Sequence, residues 1–338
     1  MKKSITQSIF IFILLLIPVS VFAEDSLGSF NFDPSKVSHP YDMVNSKGEI
    51  IKYKDYSKSS LIRMNETPST KGSGKIDPIY FGEKIEIPND FSDQPNYIIN
   101  DTDVDNNLIS PFIVIGNDGR EIVDTDELPF SAISYLELSW ANGSGGTCTG
   151  TLIGRNRVLT NAHCVIKPGT QQGISSAIVY PGVSGSTAWF GGYNVVDYYV
   201  TSNWISTGSI TEDFAVLVLS ATNNRHAGDV AGTLGIRRVT NLLNTNIGIF
   251  GYPGDLIQAA EEINQYGMRG RVTNEDNSTA FYEIDTAGGQ SGSALLNASN
   301  QVVGVHSSGY SNSNGTPIFN GGPKMTTYMF DFVSSALQ

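Results

Sequence analysis

The chain has 338 residues, a formal net charge of −12 at pH 7 and 40% hydrophobic residues. That acidic balance argues against nucleic acid and anionic membranes as partners. No P-loop, dinucleotide fingerprint or zinc-ligand spacing occurs, so no cofactor and no metal are expected.

The chain opens on Lys2 and Lys3, an apolar run from Ile9 to Val19, and the small-residue site Val21-Phe22-Ala23. This pattern reads as an export signal over 1–23. The apolar run is too short to span a bilayer comfortably, and no later stretch is longer, so no stable membrane association is expected. An uncleaved anchor is the alternative.

Residues 24–112 differ in composition, with 15 acidic and 9 basic side chains. The run from Thr67 to Lys75 is linker chemistry. Asn100 to Asn107 is polar and turn-prone, open to a processing protease. The exposed junction is compatible with a propeptide over 24–112, removed by an activating protease. A small independent N-terminal domain is the alternative.

From Ile113 onward the pattern is all-β. Short runs rich in Val, Ile, Phe and Tyr recur between Gly and Asn turns. They include Ala132–Leu138, Val158–Thr160, Phe214–Leu219, Ile247–Phe250, Phe281–Ile284 and Val302–His306. Residues 113–338 suit one domain of two Greek-key β-barrels, which removes exposed sheet edges. The polar stretch 221–229 reads as the crossover between them. Met325, Tyr328, Met329, Phe332 and Val333 fall at helical spacing, predicting a C-terminal helix docked on the second barrel. This part carries 10 basic and 18 acidic residues, a net of −8, so any selectivity for an acidic substrate must be local. A monomer is expected.

The two cysteines, Cys148 and Cys164, both lie in this part. In an exported chain a bridge is expected, tying the strand before Gly150 to the turn at His163.

Three strings carry the chemistry: Thr160-Asn161-Ala162-His163-Cys164, Asp213-Phe214-Ala215-Val216, and Gly288-Gly289-Gln290-Ser291-Gly292-Ser293. A serine hydroxyl needs a base within reach, and an imidazole titrating near neutrality serves. A carboxylate fixes the ring's tautomer and stabilises the imidazolium. His163, Asp213 and Ser291 supply these three types. The oxyanion formed on attack needs preorganised donors, and the backbone N–H groups of Gly289 and Ser291 are the candidates.

In this chain order the strings resemble the chymotrypsin-like serine proteases. Tyr252-Pro253-Gly254-Asp255, Ile284-Asp285-Thr286, Gly304-Val305-His306 and Asn320-Gly321-Gly322-Pro323 are similar more narrowly to the secreted bacillary and staphylococcal glutamyl endopeptidases. The match runs from about Ile113 to the C-terminus, while residues 24–112 match only loosely, as a propeptide would.

The resemblance implies a secreted serine endopeptidase, made as a zymogen with 24–112 as its propeptide, that cleaves proteins or peptides after Glu and less readily after Asp. It implies that Thr286 and His306, with Ser307 beside them, bind the substrate's acidic side chain. The imidazole would do so through a charge-assisted bond. Asp285 argues the other way, because a carboxylate at this offset gives trypsin-like relatives their Lys/Arg preference. Adjacent residues in extended chain face opposite sides, so Asp285 faces away if Thr286 faces in. In animal relatives an aspartate just before the nucleophile binds the freed N-terminal ammonium, and Gln290 stands there instead. Trypsin-like specificity through Asp285, and a non-catalytic or toxin-like protease fold, are the alternatives.

Overall fold

The computed structural model describes residues 27–57, 70–72, 83–88, 108–110 and 113–338. The expected signal at 1–23 and the polar junction at 100–107 lie outside the described residues, as does the run 67–75 apart from 70–72.

Alternating apolar residues form the walls of a first barrel. In the strand Ile174–Pro181, Ile174, Ala177 and Val179 turn inward and are buried, while the residues between them are half-buried. Six antiparallel strands close the ring. Ile133–Trp140 pairs with Gly145–Gly154, which pairs with Arg157–Thr160. That strand pairs with Ala215–Leu219, and Ala215–Leu219 with Tyr193–Thr201. Ile174–Pro181 completes the ring between Tyr193–Thr201 and Ile133–Trp140.

The second unit curls without closing. Its order is Val302–Val305, Ala294–Leu296, Asn246–Gly251, Tyr266–Glu275, Thr279–Tyr282, Pro317–Pro323 and Ser308–Ser311. Leu108–Ser110 ends the sheet, pairing antiparallel with Ser308–Ser311, which without it would be the open edge. The all-β, two-barrel architecture expected from the sequence is the one observed, with the first barrel closed and the second a curled half-barrel. The connection between them runs from the end of Ala215–Leu219 to the start of Asn246–Gly251 and includes a short helix, Ala227–Ala231.

The C-terminal helix forms at Thr327–Ala336, capped by the Thr326 side chain, which accepts from Met329 N. It docks on the first barrel, contrary to the expected second. Phe332 meets Phe214 edge-on with ring centroids 5.3 Å apart, and Arg157 Nε donates to Ala336 O at 2.6 Å. Helical spacing defines an apolar face but says nothing about which surface covers it.

The described parts of 24–112 build on the same barrel. Met43–Asn45 extends its sheet by pairing with Tyr199–Thr201. Leu27, Phe32, Met43, Val44 and Tyr56 are buried in the same apolar cluster as the barrel interior. Among the described residues, no helix is long and apolar enough to cross a membrane.

Cys148 and Cys164 are bonded, closing a loop of 16 residues between the strand Gly145–Gly154 and the turn that bears His163. Loop closure of this size is worth about 3 kcal/mol in the chain-entropy model, or a Tm shift of roughly 6–12 °C for a domain of this size. Replacing both cysteines by serine should lower the Tm by that amount in a calorimetric scan. A shift below about 1 °C would contradict the assignment of a stabilising bridge.

Candidate active site

His163 sits on the turn that follows the strand Arg157–Thr160, and Asp213 ends a short 3-10 turn at Ile210–Glu212. These two segments lie side by side because Ala215–Leu219 pairs directly with Arg157–Thr160. Asn161 Nδ2 donates to the Asp213 carbonyl at 2.6 Å and locks the two turns together.

The Asp213 carboxylate is fully buried and collects three donors. His163 N reaches Oδ1 at 2.9 Å, His163 Nδ1 lies 2.7 Å from Oδ2, and Ser307 Oγ donates to Oδ2 at 2.5 Å. Two donors come from the first barrel and the third from the second sheet. With Nδ1 held by the carboxylate, Nε2 is the ring nitrogen left to exchange a proton.

Ser291 lies in a turn stitched to the first barrel. Its carbonyl accepts from Thr149 N at 2.8 Å. The next residue, Gly292, has φ +89°, and a Cβ there would run into the Thr149 carbonyl and the Thr160 hydroxyl. Only glycine fits this approach. Thr149 also donates its hydroxyl to Gly289 O at 2.7 Å. Because Thr149 follows Cys148, the disulfide joins the His163 turn to the Ser291 turn through two adjacent residues.

Gly254 N donates to Gly288 O at 2.6 Å. In a trans peptide the N–H points opposite to the C=O, so this bond orients Gly289 N–H away from Gly254. Gly289 itself has φ +91°. Neither Gly289 N–H nor Ser291 N–H donates to an acceptor among the described residues.

Thr286 and His306 are both fully buried. His306 is tied to the serine turn, because its carbonyl accepts from Gly292 N at 3.0 Å and its N donates to Ser293 O at 2.8 Å. Thr286 Oγ1 and His306 Nε2 find no partner among the described residues. Buried polar atoms in that state call for a partner, which an ordered water or a ligand can supply. His306 Nδ1 lies 2.9 Å from Tyr282 Oη. When Tyr282 donates to Nδ1, the ring proton sits on Nε2.

Burial, with His163 nearby, pushes the His306 pKa from 6.5 down to about 3. In the free protein His306 is therefore a neutral ring, with the Asp213 carboxylate only partly offsetting its desolvation; a carboxylate bound at Nε2 would still make a charge-assisted bond, because the acceptor carries the charge.

Asp285 faces elsewhere. Its Oδ1 accepts from Ile115 N at 2.7 Å and its Oδ2 from Gly119 N at 2.8 Å. Ile113 lies against Thr286: its carbonyl accepts from Thr286 N at 3.2 Å and from Asn320 Nδ2 at 2.8 Å.

Sequence reasoning did not single out Thr149, Tyr282 or Arg120. Thr149 and Tyr282 sit in ordinary strand patterns, and Arg120 reads as a surface residue beside Asp118. The only usable signal was the position of Thr149 next to Cys148.

Residues 148–305 match the family model described as a trypsin-like peptidase domain. A glutamyl endopeptidase of Bacillus licheniformis is 30% identical over 229 residues, covering 64% of this chain and 67% of that protein. One from Staphylococcus epidermidis is 27% identical over 235 residues, covering 68% and 74%. A solved Glu endopeptidase in complex with MPD is 42% identical with a TM-score of 0.61, covering 67% of this chain and 99% of that one.

A neutral buried histidine has a defined pH signature. Its folded pKa lies below the value of 6.5, so the stability it retains is complete above about pH 6.5 and is lost as pH falls toward 3. The Tm of the wild-type protein should fall between about pH 6.5 and pH 4, and His306→Gln should flatten that slope. Identical slopes for the two proteins would refute the assignment.

Proposed function

The chain belongs to the chymotrypsin-like glutamyl endopeptidases, and from that premise we propose that it cleaves peptide bonds after Glu through an acyl-enzyme on Ser291. It is a serine endopeptidase. His163 takes the Ser291 Oγ proton during attack and returns it to the leaving amine. Asp213 holds the ring through its 2.7 Å contact with Nδ1 and stabilises the imidazolium. Gly289 N–H and Ser291 N–H receive the oxyanion. Water then repeats the sequence on the acyl-enzyme, and the serine is regenerated.

One observation carries the specificity. Two buried donors, Thr286 Oγ1 and His306 Nε2, lack partners among the described residues, and both belong to segments bonded to the serine turn or adjoining it. A carboxylate at the end of a Glu side chain would satisfy both. Asp is one methylene shorter and would reach them less well. The Asp285 carboxylate, bonded to Ile115 and Gly119, supports this reading over trypsin-like specificity. The complete set of triad and oxyanion groups supports a catalyst over a non-catalytic protease fold.

The remaining proposals concern maturation. Residues 1–23 direct export, and 24–112 act as a propeptide that an activating protease removes. The strand Leu108–Ser110 supports this. It occupies the open edge Ser308–Ser311, directly after His306 and Ser307, where an extended substrate would add its own strand. Processing near Ile113 would leave a new N-terminus beside Thr286. The enzyme acts extracellularly as a monomer on protein and peptide substrates.

Two experiments test the reading. Ser291→Ala or His163→Ala should lower kcat by at least roughly 10⁴-fold with the fold intact. In matched peptides, wild type should prefer Glu over Lys and Gln at P1, and His306→Ala should cut kcat/KM for Glu by about 10- to 150-fold. The Gln peptide should be affected far less. A wild-type preference for Lys, abolished by Asp285→Asn, would overturn the specificity.

N-terminal sequencing of the active secreted enzyme should place its start between about Asn107 and Val114. Active enzyme that begins at Glu24 would contradict the propeptide.

A further inference from the structure

The turn that carries Ser291 is held from a side the reaction never touches. Arg120 lies beyond the segment Ile115–Gly119, which Asp285 anchors. Its guanidinium is fully buried. Nη1 donates to Gln290 Oε1 at 3.3 Å, and Nη1 and Nη2 grip both Asp255 oxygens at 3.1 and 2.6 Å. Nε and Nη2 also grip Asp118, at 2.9 and 2.8 Å.

Burial opposes the charge, and the two carboxylates outweigh it, so the guanidinium stays protonated. The fork geometry matters here: the planar guanidinium grips two carboxylates bidentately and reaches the Gln290 amide as well, whereas an ammonium has only three donors on one atom and cannot make this set of bonds.

Two of these partners, Gln290 and Asp255, lead to an oxyanion donor. Gln290 stands between Gly289 and Ser291 and is itself fully buried. Its Oε1 also accepts from Ala287 N at 3.0 Å, bracing the turn from within. Asp255 adjoins Gly254, whose N–H holds the Gly288 carbonyl and thereby orients Gly289 N–H. Arg120 thus ties together both sides of the peptide that must point at the oxyanion.

We propose that Arg120 is a positioning residue for the oxyanion site, acting through Gln290 and Asp255. This rests on the serine-endopeptidase reading of the site. In the animal relatives the position of Gln290 carries an aspartate paired with the freed N-terminal ammonium. In this chain the cation comes from a side chain seven residues after Ile113, and it meets an amide oxygen.

The test uses the processed enzyme and a Glu-P1 peptide substrate. Arg120→Gln should lower kcat by about 10- to 100-fold with KM changed less than about threefold, since an interaction made only in the transition state is weakened. Affinity for a Glu-P1 peptide aldehyde, which forms a tetrahedral adduct, should fall by a similar factor. Affinity for the matching peptide amide, a ground-state ligand, should hold. Arg120→Lys should fail to restore kcat. Asp255→Asn should produce a smaller loss in the same parameter, and it decides the matter alone if Arg120→Gln does not fold.

A folded Arg120→Gln or Asp255→Asn protein with kcat within about twofold of wild type would overturn the proposal. Equal losses for aldehyde and amide would do the same, since they indicate a general structural role. Fluorophosphonate labelling of wild type separates the two levels. If Ser291 is not labelled, the reading of the site fails; if it is labelled and Arg120→Gln is fully active, only the role of Arg120 fails.

Discussion

A buried carboxylate is the constraint around which this molecule is arranged. Asp213 has no exposed surface, and such a group is tolerable only when hydrogen bonds replace its lost water. Donors from one barrel alone do not complete the set. His163 supplies two from the first barrel, and Ser307 supplies the third from the second sheet. Separating the two units would strand the carboxylate, so their relative placement is fixed by the group that holds the His163 ring. The disulfide and Thr149 extend the same logic to Ser291, linking the His163 turn to the Ser291 turn through two consecutive residues.

The open second sheet has a matching role. The curled sheet does not close on itself, so Ser308–Ser311 can take a further strand on its outer side. That edge begins right after the residues that complete the Asp213 site. Backbone ladder bonds and side-chain selection can therefore be read from adjacent positions. In the full chain, Leu108–Ser110 already holds this edge.

Legibility in the sequence followed distance along the chain. The triad strings could be read because each bundles a functional side chain with the local turn it needs, as Gly289 and Gly292 flank Ser291. The strands could be read because alternation is local, and the bridge because only two cysteines exist. What escaped was set by partners far away. Thr149 reaches Gly289 across 140 residues, and Arg120 reaches Gln290 across 170. The terminal helix was placed at the right residues but against the wrong barrel, since an amphipathic stripe does not name its partner. The neutral state of the free His306 ring was not legible either, because residue type gives an ordinary pKa while burial decides the actual one.

The sharing of one core between the N-terminal segment and the first barrel has a consequence for time rather than for structure. Leu27, Phe32, Met43, Val44 and Tyr56 lend their apolar surface to the interior that the barrel strands build. If the proposed processing near Ile113 removes that segment, the remaining chain loses part of the burial under which it folded. Refolding from denaturant would then start from a different molecule than the one made at synthesis. The working lifetime of such an enzyme is governed by how slowly it opens, so half-life at temperature, not an equilibrium midpoint, is the quantity that describes its endurance.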